Sequence, residues 1–151
     1  MRVVEGCIFC RIVKGEIKAH TVYEDEQIIV FLDSGPIFEG HCLICPKEHI
    51  DNIHDLPRDL MRPLLETAQL VATAVEKGLG AEGSFMALNN TVSQSVPHFH
   101  LHVIPRRRGD GMKGFFWPRR PYRDEAHIAA TVKALKEAIN STARPDPAPA
   151  S

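Results

Sequence analysis

The sequence predicts an α+β domain, and two observations carry that reading. Short segments rich in β-branched and aromatic residues come in runs, and two longer, separate segments repeat apolar residues every three or four positions. Brief connections between neighbouring strands favour antiparallel pairing, so the expected core is a five-stranded antiparallel sheet with two helices. A chain of 151 residues fits one domain, expected over residues 1–142.

Thr21–Glu24 and Ile28–Leu32 read as strands joined through the turn Asp25-Glu26-Gln27, a hairpin. His41–Cys45 is a third strand, entered through Gly40 and stopped by Pro46. Phe85–Asn89 is a fourth, and Phe99–Ile104, ending at Pro105, a fifth. The first helix carries Leu60, Leu64, Ala68, Val71 and Val75 on one stripe, with Gly78 and Gly80 just past its end as capping residues. Pro63 leaves its start open: near Pro63 itself, or at Pro57 with a kink at Pro63. The second helix starts at Asp124, an N-cap residue, and aligns Ile128, Val132, Leu135 and Ile139. Residues 143–151 hold three prolines in nine positions and are expected to be a disordered tail.

Lysines and arginines number 18 against 19 acidic residues, a net charge of −1. Wholesale attraction to nucleic acid or to an anionic membrane is therefore not expected. The longest apolar run, Ile28–Leu32, has five residues, against about 20 for a bilayer crossing. The first six residues lack the apolar core of a secretory signal, which gives a cytoplasmic expectation. In a reducing compartment, four cysteines and eight histidines point to metal or redox work more than to disulfides.

Chemistry concentrates between Gln94 and Pro105, where histidine alternates with apolar residues. On a strand, His98, His100 and His102 share one face and Phe99, Leu101 and Val103 the other. A solvated polar edge explains one such histidine. Three at strict two-residue spacing, each about 7 Å from the next, suit a phosphate group that two imidazoles can reach together.

Here the chain resembles the histidine triad family of nucleotide hydrolases and transferases. That family's mark, His-φ-His-φ-His-φ-φ with φ apolar, is met at every position from His98 to Ile104. The segments Cys7–Ile17, Tyr23–Asp33, Gly40-His41 and Pro46–Ile50 follow its pattern too, so the resemblance covers residues 7 to about 108. It implies a HIT-like fold and a homodimer whose two sheets join into one. It also implies that His100 attacks the α-phosphorus of a purine (adenine) nucleotide, giving a nucleotidyl-histidine that water hydrolyses. Dinucleoside polyphosphates and nucleoside phosphoramidates are the candidate substrates. An imidazole largely neutral at pH 7 keeps a lone pair for that attack. His102 is placed to donate to the phosphate or leaving group, and His41 supports the pocket. Asp33 is expected at the ribose hydroxyls, where a carboxylate offers two acceptors, with Gln94 and Ser95 at the phosphate and Asn89 near it. Phe9, Ile28 and Phe31 are candidates for the base pocket. In one departure, Thr91-Val92-Ser93 replaces a longer glycine-bearing loop, with Ser93 where glycine is usual.

Cys7-x-x-Cys10 has the spacing of a zinc half-site. The resemblance completes it with His49 and His98, a closed Cys2His2 set and hence a structural zinc. Cys42-x-x-Cys45 lies within a strand, where positions three apart face opposite ways, so these two are expected in the core. Arg106–Arg108, and Arg119, Arg120 and Arg123 beyond the aromatic Gly114–Pro118 segment, are either a second phosphate clamp or a solvated surface. His20, His54 and His127 have no companions and read as surface residues. Two other functions compete: a zinc-dependent hydrolase with all three triad histidines as ligands, and a non-catalytic nucleotide-binding module.

Overall fold

A computed structural model describes residues 1–112 and 119–142. The chain divides into two compact units, Met1–Gly111 and Met112–Ser151. The first holds α1 (Ile8–Val13), β1 (Thr21–Glu24), β2 (Ile28–Leu32), β3 (Cys42–Pro46), α2 (Arg58–Leu79), β4 (Gly83–Ala87) and β5 (Leu101–Arg106). In the second, α3 (Glu125–Ser141) is the described element. Asp124 caps it, its side chain accepting from the His127 backbone N–H at 2.7 Å. The Gly114–Pro118 segment and the 143–151 tail lie outside the described residues.

The five strands form one antiparallel sheet in the order β1-β2-β3-β5-β4. The expected sheet is present, with a third helix, α1, from the amino-terminal segment. Interior strand β2 reads Ile-Ile-Val-Phe-Leu without polar alternation because both its faces are covered. Ile28 and Val30, with Cys42, Ile44 and Val103, pack on the α2 stripe of Leu60, Leu64, Ala68, Val71 and Val75. Ile29, Phe31, Leu43 and Cys45 face the other way and pack on Cys7, Phe9 and Cys10 around α1. Cys42 and Cys45 therefore sit in the core on opposite faces of the sheet, as their spacing requires.

Several boundaries differ from expectation, each for a partner-dependent reason. β5 starts at Leu101, not Phe99, because its first partner on β3 is Ile44. The Phe99 N–H bonds instead to the Ile50 carbonyl at 2.6 Å. β4 is Gly83–Ala87, two residues earlier than expected, because Arg106 and Pro105 of β5 remain available to Gly83 and Ser84. The structure decides the start of α2: Pro57 is the N-cap, and Pro63 lies inside the helix. Its missing N–H removes one backbone hydrogen bond, that to the Asp59 carbonyl. Gly78 is helical, and Gly80 alone is the left-handed cap (φ +67°), its N–H bonding the Glu76 carbonyl at 3.0 Å while the Ala81 N–H bonds that of Val75 at 3.3 Å.

Candidate functional site

Two clusters of polar side chains lie on the α1 face of the sheet, and His98 joins them. Cys7 is the N-cap of α1, and its sulfur accepts from the Cys10 N–H at 3.5 Å, so both thiols are presented at one helix end. His98 stands beside them with Nδ1 at 3.4 Å from Cys7 Sγ and 3.7 Å from Cys10 Sγ, while His49 Nδ1 is 3.2 Å from Cys10 Sγ. The far nitrogens are committed: His98 Nε2 donates to the Pro46 carbonyl and His49 Nε2 to Asp51 Oδ1, both at 2.8 Å. Each ring is thereby held with its Nδ1 lone pair toward the thiols. All four residues are buried and their ligand atoms lie within 4.8 Å of one another. A tetrahedral zinc site has sulfur–nitrogen edges of about 3.5 Å, close to the separations found. Burial pushes the Cys7 thiol up, with backbone N–H groups of Cys10 and Phe9 opposing. A bound cation would reverse that preference.

The second cluster begins at the carbonyl of the same His98. His100 Nδ1–H donates to it at 2.6 Å, which leaves the lone pair on Nε2. The His100 ring is 5% exposed, standing edge-on to Phe9 (5.1 Å) and His102 (5.0 Å). A hydrogen-bond chain fixes His102. The Ile37 N–H donates to His41 Nδ1 at 3.1 Å, so the His41 proton is on Nε2, which donates to His102 Nδ1 at 2.9 Å. His102 is left with an Nε2–H donor. Burial lowers the pKa of His41, with Asp33 opposing from 3.6 Å. Burial, then the neighbouring His100 and His41, brings His102 down to about 4. Both are neutral at pH 7, as the chain requires.

Asp33, His41 and His102 also bring ligand atoms within 4.8 Å. The Ile37 N–H occupies the Nδ1 lone pair of His41 and forces a proton onto Nε2, so this group is a hydrogen-bond relay instead of a cation site. The three triad histidines are not a converging ligand group among the described residues. His98 turns to the thiols, and the other two bond separate partners.

His100 and His102 line a cavity of about 410 Å³ with Asp33, Ser95, Phe9 and Phe31. His41 reaches it through His102. Gly40 makes that possible: at φ +88° its Cα sits where a Cβ would be 2.3 Å from Leu79 Cδ1. Asn89 and Gln94 do not line the cavity. Asn89 is exposed, and the Gln94 amide donates to the Asp51 carbonyl (2.5 Å) and accepts from the Thr91 N–H (3.0 Å). Ile28 is in the core on the α2 face. Ser93, standing for glycine, keeps the left-handed backbone (φ +60°), and so does Thr91 (φ +68°).

The arginine run is used locally. Arg106 forks onto Asp110, Arg107 donates to the Leu79 carbonyl at the end of α2, and Arg108 pairs with Glu82 at 3.7 Å. Conversely, Lys18 and His20 line the cavity. Both are exposed, as expected of His20, but their place at the cavity was not legible, because nothing local says which way that connection faces.

A family model described as HIT domain matches residues 14–109. A Schizosaccharomyces pombe protein named adenosine 5'-monophosphoramidase hnt1 is 35% identical over 138 residues, covering 90% of this chain and 97% of that protein. The crystal structure of a member of the HIT family from Bacillus subtilis superposes with a TM-score of 0.81 at 29% identity, covering 93% of this chain and 100% of that one. A Zn-bound histidine triad family protein from Mycobacterium smegmatis gives 0.69 at 36% identity, covering 88% and 97%.

Proposed function

The chain belongs to the HIT domain family, and on that premise we propose that it is a nucleotidyl hydrolase or transferase acting at the α-phosphate of purine nucleotides, adenine among them. Dinucleoside polyphosphates and nucleoside phosphoramidates are its substrate classes. The observation that carries the reading is the His100 ring, fixed by the His98 carbonyl with an Nε2 lone pair at a cavity of nucleotide size.

His100 Nε2 attacks the α-phosphorus, a phosphorus–nitrogen bond forms, and the bond to the leaving group breaks. The imidazole becomes cationic, and the His98 carbonyl on Nδ1–H stabilises that charge. His102 Nε2–H, held there by His41, donates to a phosphoryl oxygen or gives its proton to the leaving atom, oxygen in a polyphosphate and nitrogen in a phosphoramidate. Water then attacks the same phosphorus and returns free His100. Asp33 lies on the cavity wall where ribose hydroxyls need acceptors, and Ser95 lies near the phosphate. Gln94 acts through the loop: it ties Thr91 to the Asp51 carbonyl and so shapes the phosphate side.

Cys7, Cys10, His49 and His98 hold a structural zinc in this reading, supported by their spacing, by the bonds of the two rings to the Pro46 carbonyl and Asp51, and by the Zn-bound relative. Four protein ligands leave no open position, so the ion ties α1 to the sheet and performs no step. The location proposed is cytoplasmic, for which four free cysteines speak. No described helix is long and apolar enough to cross a membrane.

His100→Ala is expected to lower turnover of a nucleoside phosphoramidate at least about a thousandfold while nucleotide binding persists. Rapid-quench mass spectrometry of the wild type should show a histidine-linked mononucleotide. Turnover that survives the substitution would refute the assignment, and binding without any turnover in the wild type would favour the non-catalytic module.

A further inference from the structure

The open end of the cavity carries two side chains that the mechanism above does not use, Lys18 and His20. Their position is fixed at both ends. Upstream, Glu16 and Ile17 bond through their N–H groups to the Arg11 carbonyl at 2.9 and 3.3 Å, and Gly15 bonds to that of Ile12 at 2.9 Å. Downstream, the His20 carbonyl accepts from the Leu32 N–H at 3.0 Å, one residue before Asp33. The strip Lys18-Ala19-His20 therefore borders Phe31–Asp33, with Ile12, Ile17, Phe9 and Phe31 as the apolar walls of the same cavity.

If His100 and His102 take the phosphate and Asp33 the ribose, the base lies between those apolar walls and its edge meets Lys18 and His20. The Lys18 charge is not spent elsewhere. Glu16, the acid nearest in sequence, pairs with Arg11 (3.3 Å) and Lys14 (3.8 Å). The Asp33 carboxylate accepts from the Gly35 N–H (2.8 Å) and faces His41. Among the described residues, no ion pair involves Lys18.

We propose that Lys18, with His20 beside it, reads the base edge and makes this cavity prefer a 6-oxopurine nucleotide over a 6-aminopurine one. This rests on the nucleotide reading given above. An ammonium group has three donors and no acceptor. Guanine and hypoxanthine present O6 and N7 side by side as acceptors, whereas adenine sets its N6 amino donors next to N7. The Lys18 ammonium, with donors alone, gains with the first pair and meets a donor in the second.

The test is calorimetric titration of the full-length, zinc-loaded protein with AMP, GMP and IMP, on the wild type, Lys18→Met and Lys18→Arg. GMP and IMP are expected to bind at least about five-fold tighter than AMP, a gap that shrinks below about two-fold in Lys18→Met and returns in Lys18→Arg. IMP lacks the 2-amino group, so it isolates the O6/N7 edge. Equal or tighter AMP binding by the wild type, or a preference untouched by Lys18→Met, would overturn the base-edge role and leave the nucleotidyl-transfer reading standing. Binding of none of the three would overturn both.

Discussion

His102 shows at the scale of one residue how a site is tuned by what it lacks. With its Nδ1 accepting from His41 and much of its ring out of water, the charged form is disfavoured and the pKa falls to about 4. The unfolded chain therefore binds more protons than the folded one between about pH 6.5 and pH 4. His102 thus contributes stability that is present above that window and lost as pH falls through it. Denaturant titrations across this range should show the midpoint dropping towards pH 4, and a His102→Asn variant should show a shallower drop. Identical slopes in both proteins would remove His102 from that role. Three neighbours act by the same logic: the Ile37 N–H, the Pro46 carbonyl and the His98 carbonyl each select one ring nitrogen by hydrogen bonding the other. The three triad histidines thus do different work: one aims Nδ1 at thiols, one keeps an Nε2 lone pair and one keeps an Nε2–H.

Among the elements, α1 is six residues long and too short to be stable by itself. Its anchors are Phe9, seated among Phe31, His98 and His100, and the thiols at its start. If Cys7 and Cys10 share a zinc with His49 and His98, the ion joins α1 to the segments after β3 and before β5. Cys7→Ser is then expected to lower the melting temperature by about 5 °C or more and to cut bound zinc, measured by scanning calorimetry and elemental mass spectrometry. An unchanged melting temperature would count against the site. For α2 the informative feature is the contrast between Pro63, tolerated six residues in, and Gly80, required at the end. The first costs one hydrogen bond, while the second supplies a left-handed turn that β-carbon-bearing residues resist.

Across the whole first unit, the sheet has two edges, β1 and β4. Beside β4, Met61, Leu65 and Met86 are 44%, 70% and 36% exposed and line one concavity with Ala72 of α2. An edge strand next to an apolar helix face is a ready surface for a second copy, and we propose that the homodimer implied by the family resemblance joins its two sheets there. Sedimentation equilibrium should give twice the chain mass for the wild type, and Leu65→Glu should shift the protein to a single chain. A wild type that sediments as one chain at micromolar concentration would end that proposal.

By itself, the sequence determined the fold class, the core placement of Cys42 and Cys45 on opposite faces and the sorting of Phe99, Leu101 and Val103 from the three histidines. Each follows from side-chain periodicity and apolar content, which are local properties of the chain. The spacing of Cys7 and Cys10 was equally legible, and the structure brings His49 and His98 to them. Only the tertiary structure decided where the ladders begin and end, because a strand exists only as far as its partners reach. The tautomers of His98, His100 and His102 depend on carbonyls and rings as far apart in sequence as Pro46 and His98, and Lys18 and His20 enter the cavity only because β1 docks on β2. Those are contacts between segments, and no window of neighbouring residues contains them.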